Sequence, residues 1–457
     1  MKRLMIAAMS SGSGKTVFTC GLLAALTRRG LAAEGFKCGP DYIDPMFHKR
    51  VLGVPSRNLD LFLQGEDGVR KTLAKQRGDV AIIEGAMGFY DGVSGTDEAS
   101  AWHVARATGT PVVLVVQPKG QSITLAAQLK GMAEFRTPSM VAGVVFANCK
   151  ASLHAHLAPI VEAECGLPVL GFMPPMEEAV IESRHLGLMT AGEVADFAER
   201  FDRIAAQIEE CVDVDALLEL AVEVEEAQAA DDRSAATGAA AADAVPERCT
   251  IAVARDEAFC FYYEDNLDEL AAAGARIVEF SPLHDAQLPA ADALYIGGGY
   301  PELFAHELAA NAQMRASVAA AIAAGMPTVA ECGGFMYLQE SIEAADGVQC
   351  AMVGALPGRA FKTDRLQRFG YNYLSAGEDT LLVHAGERLA AHEFHYWDCT
   401  DNGYDLVATK PTGRSWDFGF AGPQLYAGFP HVHFGGALPL AQRIVDAACA
   451  FRQQGRA

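Results

Sequence analysis

From residue 1 to about 220 two apolar patterns alternate along the chain. LMIAAM (4 to 9), VAII (80 to 83), PVVLVV (111 to 116), VAGVVFAN (141 to 148) and PVLGF (168 to 172) are short, β-branched and almost without polar interruption. Runs of that kind predict strands buried on both faces. Between them apolar residues recur at helical spacing. Val17, Phe18, Leu22, Leu23 and Leu26 form one such stripe, closed by Arg28, Arg29 and Gly30 as a basic last turn and a glycine cap. Strands separated by helices predict a parallel sheet covered on both sides. Residues 221 to 247 break the pattern, being acidic, Ala-rich and lacking any large apolar residue but valine, so they read as a linker. A second series then begins with TIAVARD (250 to 256), ARIVEF (275 to 280), ADALYIGGG (291 to 299) and MPTVAECGG (326 to 334). The predicted fold class is α/β, with two doubly wound domains at 1–220 and 248–457. Beyond residue 350 the chain is richer in aromatics and glycine, which predicts shorter strands.

Composition narrows the function. With 457 residues the chain is long enough for two or three domains, and 51% hydrophobic against 21% charged residues excludes disorder for most of it. Lys and Arg number 36 against 58 Asp and Glu, a net charge of −22. That balance argues against a general nucleic-acid or anionic-membrane partner, so a polyanionic ligand needs a local basic pocket. No apolar run approaches the ~20 residues that span a bilayer, and the expected location is cytoplasmic. Eleven cysteines without a C-x-x-C pair indicate neither a zinc site nor a disulfide framework.

Two stretches carry chemistry. SSGSGKT (10 to 16) follows a strand and precedes a helix, the context of a P-loop. There the N–H groups around Gly12, Ser13 and Gly14 turn toward phosphate oxygens, Lys15 reaches the outer phosphates and Thr16 offers a hydroxyl to magnesium. Met9 occupies the place of the usual first glycine. Glu84 ends the strand VAII and opens EGAMGFYDG, which also holds Asp91; a carboxylate at that end of a parallel strand borders the nucleotide crevice and suits magnesium or water ordering. Asp41 and Asp44 in GPDYIDP are candidates for metal or substrate contacts, and the Asn148 carboxamide suits adenine.

The second stretch is PTVAECGGFMYL, an apolar strand running into a glycine pair and a helix, with Cys332 at the turn. This is the geometry of a nucleophile elbow, in which Gly333 offers an N–H to an oxyanion. GGGYPE (297 to 302), also after a strand, adds N–H groups around Gly298 and Gly299. A thiol nucleophile needs a base. His384, His392, His395, His431 and His433 are available, and the H-x-H spacing of the last two predicts one strand face.

Taken together, SSGSGKT, FKCGPDYIDPMFH, EGAMGFYDG, GVVFAN, SRHLGL (183 to 188), GGGYPEL, AECGGFMYL, HEFHY (392 to 396) and HVHF resemble the cobyrinate a,c-diamide synthases over residues 10 to 434. That family joins a dethiobiotin-synthetase-like ATPase to a class I glutamine amidotransferase. The resemblance implies that Lys15 and Thr16 bind ATP and Mg2+. It gives Asp41, Asp44, Glu84 and Asp91 metal and substrate-activating roles, and has Cys332 hydrolyse glutamine, with His431 as base and His433 where related enzymes carry the residue that orients it. It also makes Arg184 and His185 candidates to hold a carboxylate-rich tetrapyrrole; Lys362, Arg365 and Arg368 form a second cationic cluster, for which solvated surface charge is the favoured reading. The implied product is a corrinoid amidated at its a and c side chains, with hydrogenobyrinate and nickel sirohydrochlorin as alternative macrocycles and a homodimer as the assembly to look for. A P-loop regulatory ATPase with an inert amidotransferase-like appendage is the competing class. Two departures from the family pattern are Gln117, where Asp is expected, and Ala391, where Gly is expected.

Overall fold

The computed structural model describes residues 1–75, 77–176, 178, 191–223 and 246–455. Most of the expected linker, together with Arg184 and His185, lies outside these described residues. Contacts divide the chain into two units, Met1–Ala230 and Asp231–Ala457.

In the first unit seven parallel strands form one sheet: β1 (Lys2–Ala8), β2 (Ala33–Cys38), β3 (Ser56–Leu59), β4 (Val80–Glu84), β5 (Val112–Val116), β6 (Val141–Phe146) and β7 (Val169–Phe172). Their order is β3-β2-β4-β1-β5-β6-β7, and β8 (Val222–Glu223) adds antiparallel to the start of β1. The chain leaves β1 toward one edge and, after β4, crosses to the other, so the sheet reverses direction beside β1. Ligands of doubly wound sheets bind at the carboxyl ends of strands where that reversal opens a crevice. The loop 9–14 and helix α1 (Lys15–Arg28) stand at that end.

Helix packing fixes the loop. Gly21 in α1 lies so close to the helix Ala191–Cys211 that a Cβ there would sit 2.5 Å from Ile204 Cγ2 and 2.8 Å from Ile208 Cδ1. Absence of a side chain is what permits this approach. Helix α2 (Ile43–Leu52) packs on the same neighbour, with Phe47 edge-on to Phe197 at 5.6 Å and to Phe201 at 5.4 Å.

The second unit has a central sheet and a second, mostly antiparallel one. Its first strands are β9 (Cys249–Ala254), β10 (Phe259–Phe261), β11 (Ala275–Phe280), β12 (Ala293–Ile296), β13 (Gly298–Gly299) and β14 (Thr328–Glu331). They are followed by β15 (Ser341–Glu343), β16 (Gln349–Ala351), β17 (Arg359–Ala376), β18 (Leu389–Cys399), β19 (Leu406–Thr409), β20 (Ser415–Phe418), β21 (Phe420–Gly422), β22 (Leu425–Gly428) and β23 (His431–Val432). The central order is β11-β9-β12-β14-β22-β21, parallel except for β21. The other sheet runs β16-β15-β17-β18-β23, while β10 and β13 pair alone.

The expectation of shorter strands beyond residue 350 holds from β19 to β23, each of two to four residues, and is corrected for β17 with 18 residues and β18 with 11. The polar run KTDRLQR interrupts the apolar pattern of β17 without ending the strand. Register shifts between Lys362 and Gln367 and between Gln367 and Gly370, with Arg368 and Gly370 at positive φ, let it bend instead of stopping.

Phe47 anchors the helix that carries Asp44 and His48. Phe47→Ala should therefore destabilise the first unit by about 3–5 kcal/mol, checked by guanidinium unfolding of the variant against the parent chain.

Candidate active sites

At the end of β1 the loop turns through Gly12 and Gly14, with φ of 74° and 90°, and the Gly14 carbonyl starts α1 by accepting from Phe18 N at 3.0 Å. The Lys15 ammonium donates to the carbonyls of Ser10 (3.0 Å) and Met87 (2.6 Å), and Ser13 Oγ donates to Ser10 O at 2.9 Å. Burial, then the charge of Lys37, lowers the Lys15 pKa. Gln117, one departure from the family pattern, reaches the loop itself, its Nε2 lying 3.4 Å from Gly12 O. An open cleft of ≈ 380 Å³ runs along Ser10–Ser13 to Gln117 and Lys119.

Behind the loop lies a buried cluster of charge. Parallel register sets Lys37 of β2 opposite Glu84 of β4. Lys37 Nζ sits 2.8 Å from Glu84 Oε1 and 2.5 Å from Asp44 Oδ2, with all three side chains nearly withdrawn from solvent. Thr16 Oγ1 donates to the same Glu84 oxygen at 2.6 Å. Burial, only partly offset by Lys37, pushes the Glu84 carboxyl up to about 7; burial and neighbouring Asp44 push Asp41 up to about 6. Burial also works against Asp44, but Lys37 outweighs it and holds that carboxylate below its ordinary value. His48, 3.9 Å from Glu84 Oε2, is driven down to about 4 by burial and stays neutral.

Sequence reasoning named Asp41, Asp44 and Glu84 but missed Lys37. Its signal was present: a lysine inside a six-residue strand with every position buried is an anomaly that demands a partner. The other expected residues lie further out. Asp91 is exposed and accepts from Gly88 N at 3.0 Å, and Asn148 is exposed at φ 50°, a turn conformation open to asparagine.

Glu84 Oε2 is buried without a hydrogen-bond partner, and the Thr16 hydroxyl lies beside the other oxygen of the same carboxylate. Hard oxygen donors of this kind fit Mg2+, which commonly takes one or two carboxylates and completes its shell with phosphates and water. Among the described residues no group of three His, Cys, Asp or Glu is arranged as a preformed metal site.

In the second unit Cys332 joins β14 to the helix Gly333–Leu338 at φ 50° and ψ −103°, a sparsely populated conformation that holds the thiol on a sharp turn. Two close backbone contacts require the glycines that follow. The site of a Gly333 Cβ is 3.1 Å from Gly299 N, and a Cβ on Gly334 would land on the Ile296 carbonyl. Gly333 N–H points at the Cys332 sulfur. Burial, then the carboxylate of Glu302, drives the thiol pKa far up, so as a nucleophile it would need a base to take its proton.

His431 borders the same strand, its Nε2 being 3.2 Å from the site of a Gly298 Cβ. Its Nδ1 faces Glu331 Oε2 at 3.4 Å. The two histidines of HVHF are used differently. β23 ends at Val432, and His433 packs on the Tyr263 ring (4.8 Å) with its Nδ1 accepting from Gly435 N at 3.0 Å. His392 pairs in register with His431 and packs against Phe369 and Tyr371, while His395 stacks on Phe429 at 3.8 Å and bonds Glu393. Ala391 is buried in regular β18, paired with Asn372 and Val432, so glycine is not required there. In the second cationic cluster, Arg368 is held by both oxygens of Asp398, Lys362 lies over Trp397, and Arg365 is exposed.

A strand–P-loop–helix in one unit and a strand–cysteine–helix elbow in the other define an ATP-binding synthetase joined to a glutamine amidotransferase. Residues 4–188 match the model of the CobQ/CobB/MinD/ParA nucleotide-binding domain, and residues 250–437 that of the CobB/CobQ-like glutamine amidotransferase domain. The chain is 39% identical to the cobyrinate a,c-diamide synthase of Clostridium acetobutylicum over 97% of its own length and 100% of that protein's. Identity to the enzyme of that name from Salmonella typhimurium is 40%, covering 94% of each chain. The chain belongs to the cobyrinate a,c-diamide synthase family. Among the described residues no helix is long and apolar enough to cross a membrane.

Lys37 is the sole described cation paired with both Asp44 and Glu84. Lys37→Met should destabilise the first unit by about 3–5 kcal/mol, because it strands buried carboxylates. An acid whose folded pKa is raised loses stability as pH rises above its unfolded value, so the penalty should be larger at pH 8 than at pH 5.5. Thermal melts of both proteins across that range check the sign.

Proposed function

We propose that this chain converts the a- and c-side-chain carboxylates of cobyrinate to amides, using ATP and glutamine. The observation that carries the reading is the presence, in one chain, of a P-loop whose Thr16 touches buried Glu84 and of a thiol on a strained elbow packed against the same Gly298–Gly299 strand that His431 borders.

A carboxylate does not react with ammonia in water, because oxide is a poor leaving group. In the proposed first step a substrate carboxylate oxygen attacks the γ-phosphorus of ATP, giving an acyl phosphate and ADP. Gly12, Ser13, Gly14 and Lys15 cradle the phosphates, and the Asn148 carboxamide faces adenine. Thr16 and Glu84, with Asp41 as a further oxygen donor, would hold Mg2+, which when bound would supply positive charge for phosphoryl transfer. Asp44 and Asp91 orient the substrate end, with Lys37 fixing Asp44. Ammonia then attacks the acyl carbon and inorganic phosphate leaves.

The nitrogen comes from glutamine. His431 takes the proton of Cys332 as the sulfur attacks the side-chain amide, and the developing oxyanion is met by the N–H groups around Gly298, Gly299 and Gly333. Ammonia departs, leaving a thioester that water converts to glutamate. Resemblance alone, not geometry, supports Arg184 and His185 as contacts to the macrocycle.

Cys332→Ala should abolish amidation supported by glutamine and leave amidation by high external ammonium intact, because only the first source uses the thiol. Product mass spectra with each donor check this, and equal loss with both would make Cys332 structural. Lys15→Ala should lower synthesis with either donor by about 10³-fold or more, since its cation acts on the phosphoryl transfer common to both. Steady-state ADP release reads the effect, and a near-normal rate would remove the P-loop from the reaction.

A further inference from the structure

We infer that Glu331, the residue immediately before the nucleophile, positions the catalytic base. This deepens the glutaminase reading above and rests on it.

Glu331 closes β14 and is almost entirely withdrawn from solvent. A carboxylate in such a place must be fully engaged or it costs several kcal/mol. Its partners lie on β23 and β12. Oε1 accepts from Val432 N at 3.1 Å; Oε2 accepts from Tyr295 Oη at 3.2 Å and faces His431 Nδ1 at 3.4 Å. Asn266 completes the frame, donating to Val432 O at 2.9 Å and accepting from Phe434 N at 2.7 Å. One carboxylate thus holds both the backbone beside His431 and the ring of His431.

The consequence is a choice of tautomer. An ionised carboxylate only accepts, so Nδ1 must carry the proton. Nε2 is then the lone-pair nitrogen, and the Cε1–Nε2 edge of the ring borders the Gly298–Gly299 strand against which the Cys332 elbow is packed. A base presented this way accepts the thiol proton; the other tautomer presents an N–H and does not. His433, two residues along, offers no equivalent service, because its ring lies on Tyr263 and its Nδ1 is engaged by Gly435. The orienting group of this glutaminase therefore comes from the nucleophile's side of the turn. It is adjacent in sequence to the thiol and 100 residues from the base it serves.

The test compares Glu331→Gln, Glu331→Asp and Cys332→Ala in the full chain. Glutamine keeps the volume and, through its oxygen, the Val432 bond, but turns an N–H toward Nδ1 and so inverts the tautomer. We expect glutaminase kcat to fall by about 10²- to 10⁴-fold with little change in KM for glutamine. Alkylation of Cys332 by the glutamine analogue 6-diazo-5-oxonorleucine should slow in parallel, while ammonium-supported amidation and the melting temperature stay near the parent's. Glu331→Asp retains the negative acceptor and should recover part of the loss. Glutaminase activity of Glu331→Gln within a few-fold of the parent overturns the proposal. So does loss of ammonium-supported amidation or of cooperative melting together with glutaminase activity in both variants, which makes Glu331 structural. Persistence of glutaminase activity in Cys332→Ala instead overturns the reading on which the proposal rests.

Discussion

One ammonium group, that of Lys37, stands between two carboxylates in a part of the sheet that water does not reach. Isolated charges there would cost far more than the packing around them returns, so the three side chains are stable only as a set. Register provides the set: β2 beside β4 puts Lys37 opposite Glu84, and α2 lays Asp44 over both. The P-loop is tied to the same group through Thr16, which donates to the very oxygen that Lys37 pairs with. The position of the phosphate-binding loop is therefore coupled to a buried ion pair and not to loop contacts alone. In the proposed reaction this arrangement keeps cation and carboxylate chemistry at fixed distance while a substrate and its phosphoryl donor enter and leave.

The second unit meets a different constraint with the same local grammar. Here too a parallel strand ends in a glycine turn and a helix, but the proposed nucleophile is a thiol that burial keeps protonated. Strain at Cys332, of order 1–3 kcal/mol for such a backbone, is tolerated because Gly333 and Gly334 allow the turn to press against β12 and β13. In the proposed glutaminase step, what the thiol lacks in acidity is supplied by a base of fixed orientation, which the hydrogen-bonded Glu331–Tyr295–Asn266 network is placed to give.

The parallel sheet of each unit was legible in the sequence because its inner strands are nearly pure apolar runs, and both candidate turns were legible because glycine spacing marks them. β2 and β3 were not, since AEGFKC and SRNL place charged and polar residues inside buried strands where only tertiary partners justify them. Lys37 was missed for the same reason. The bent β17 defeated pattern reading because an exposed, cationic strand face carries no hydrophobic period. H-x-H predicted two histidines on one strand face, which holds only while a strand continues; it ends at Val432, and the second ring packs on an aromatic neighbour. Glu331 escaped notice because its proposed role depends on a strand that returns 100 residues later.

The account stands on the claim that ATP activates the substrate carboxylate as an acyl phosphate before nitrogen arrives. The most direct measurement uses cobyrinate labelled with oxygen-18 in its side-chain carboxylates, incubated with ATP, Mg2+, glutamine and the intact chain. The inorganic phosphate is then analysed by mass spectrometry. The account predicts one labelled oxygen transferred to phosphate for every amide formed. Amide formation with unlabelled phosphate would contradict it.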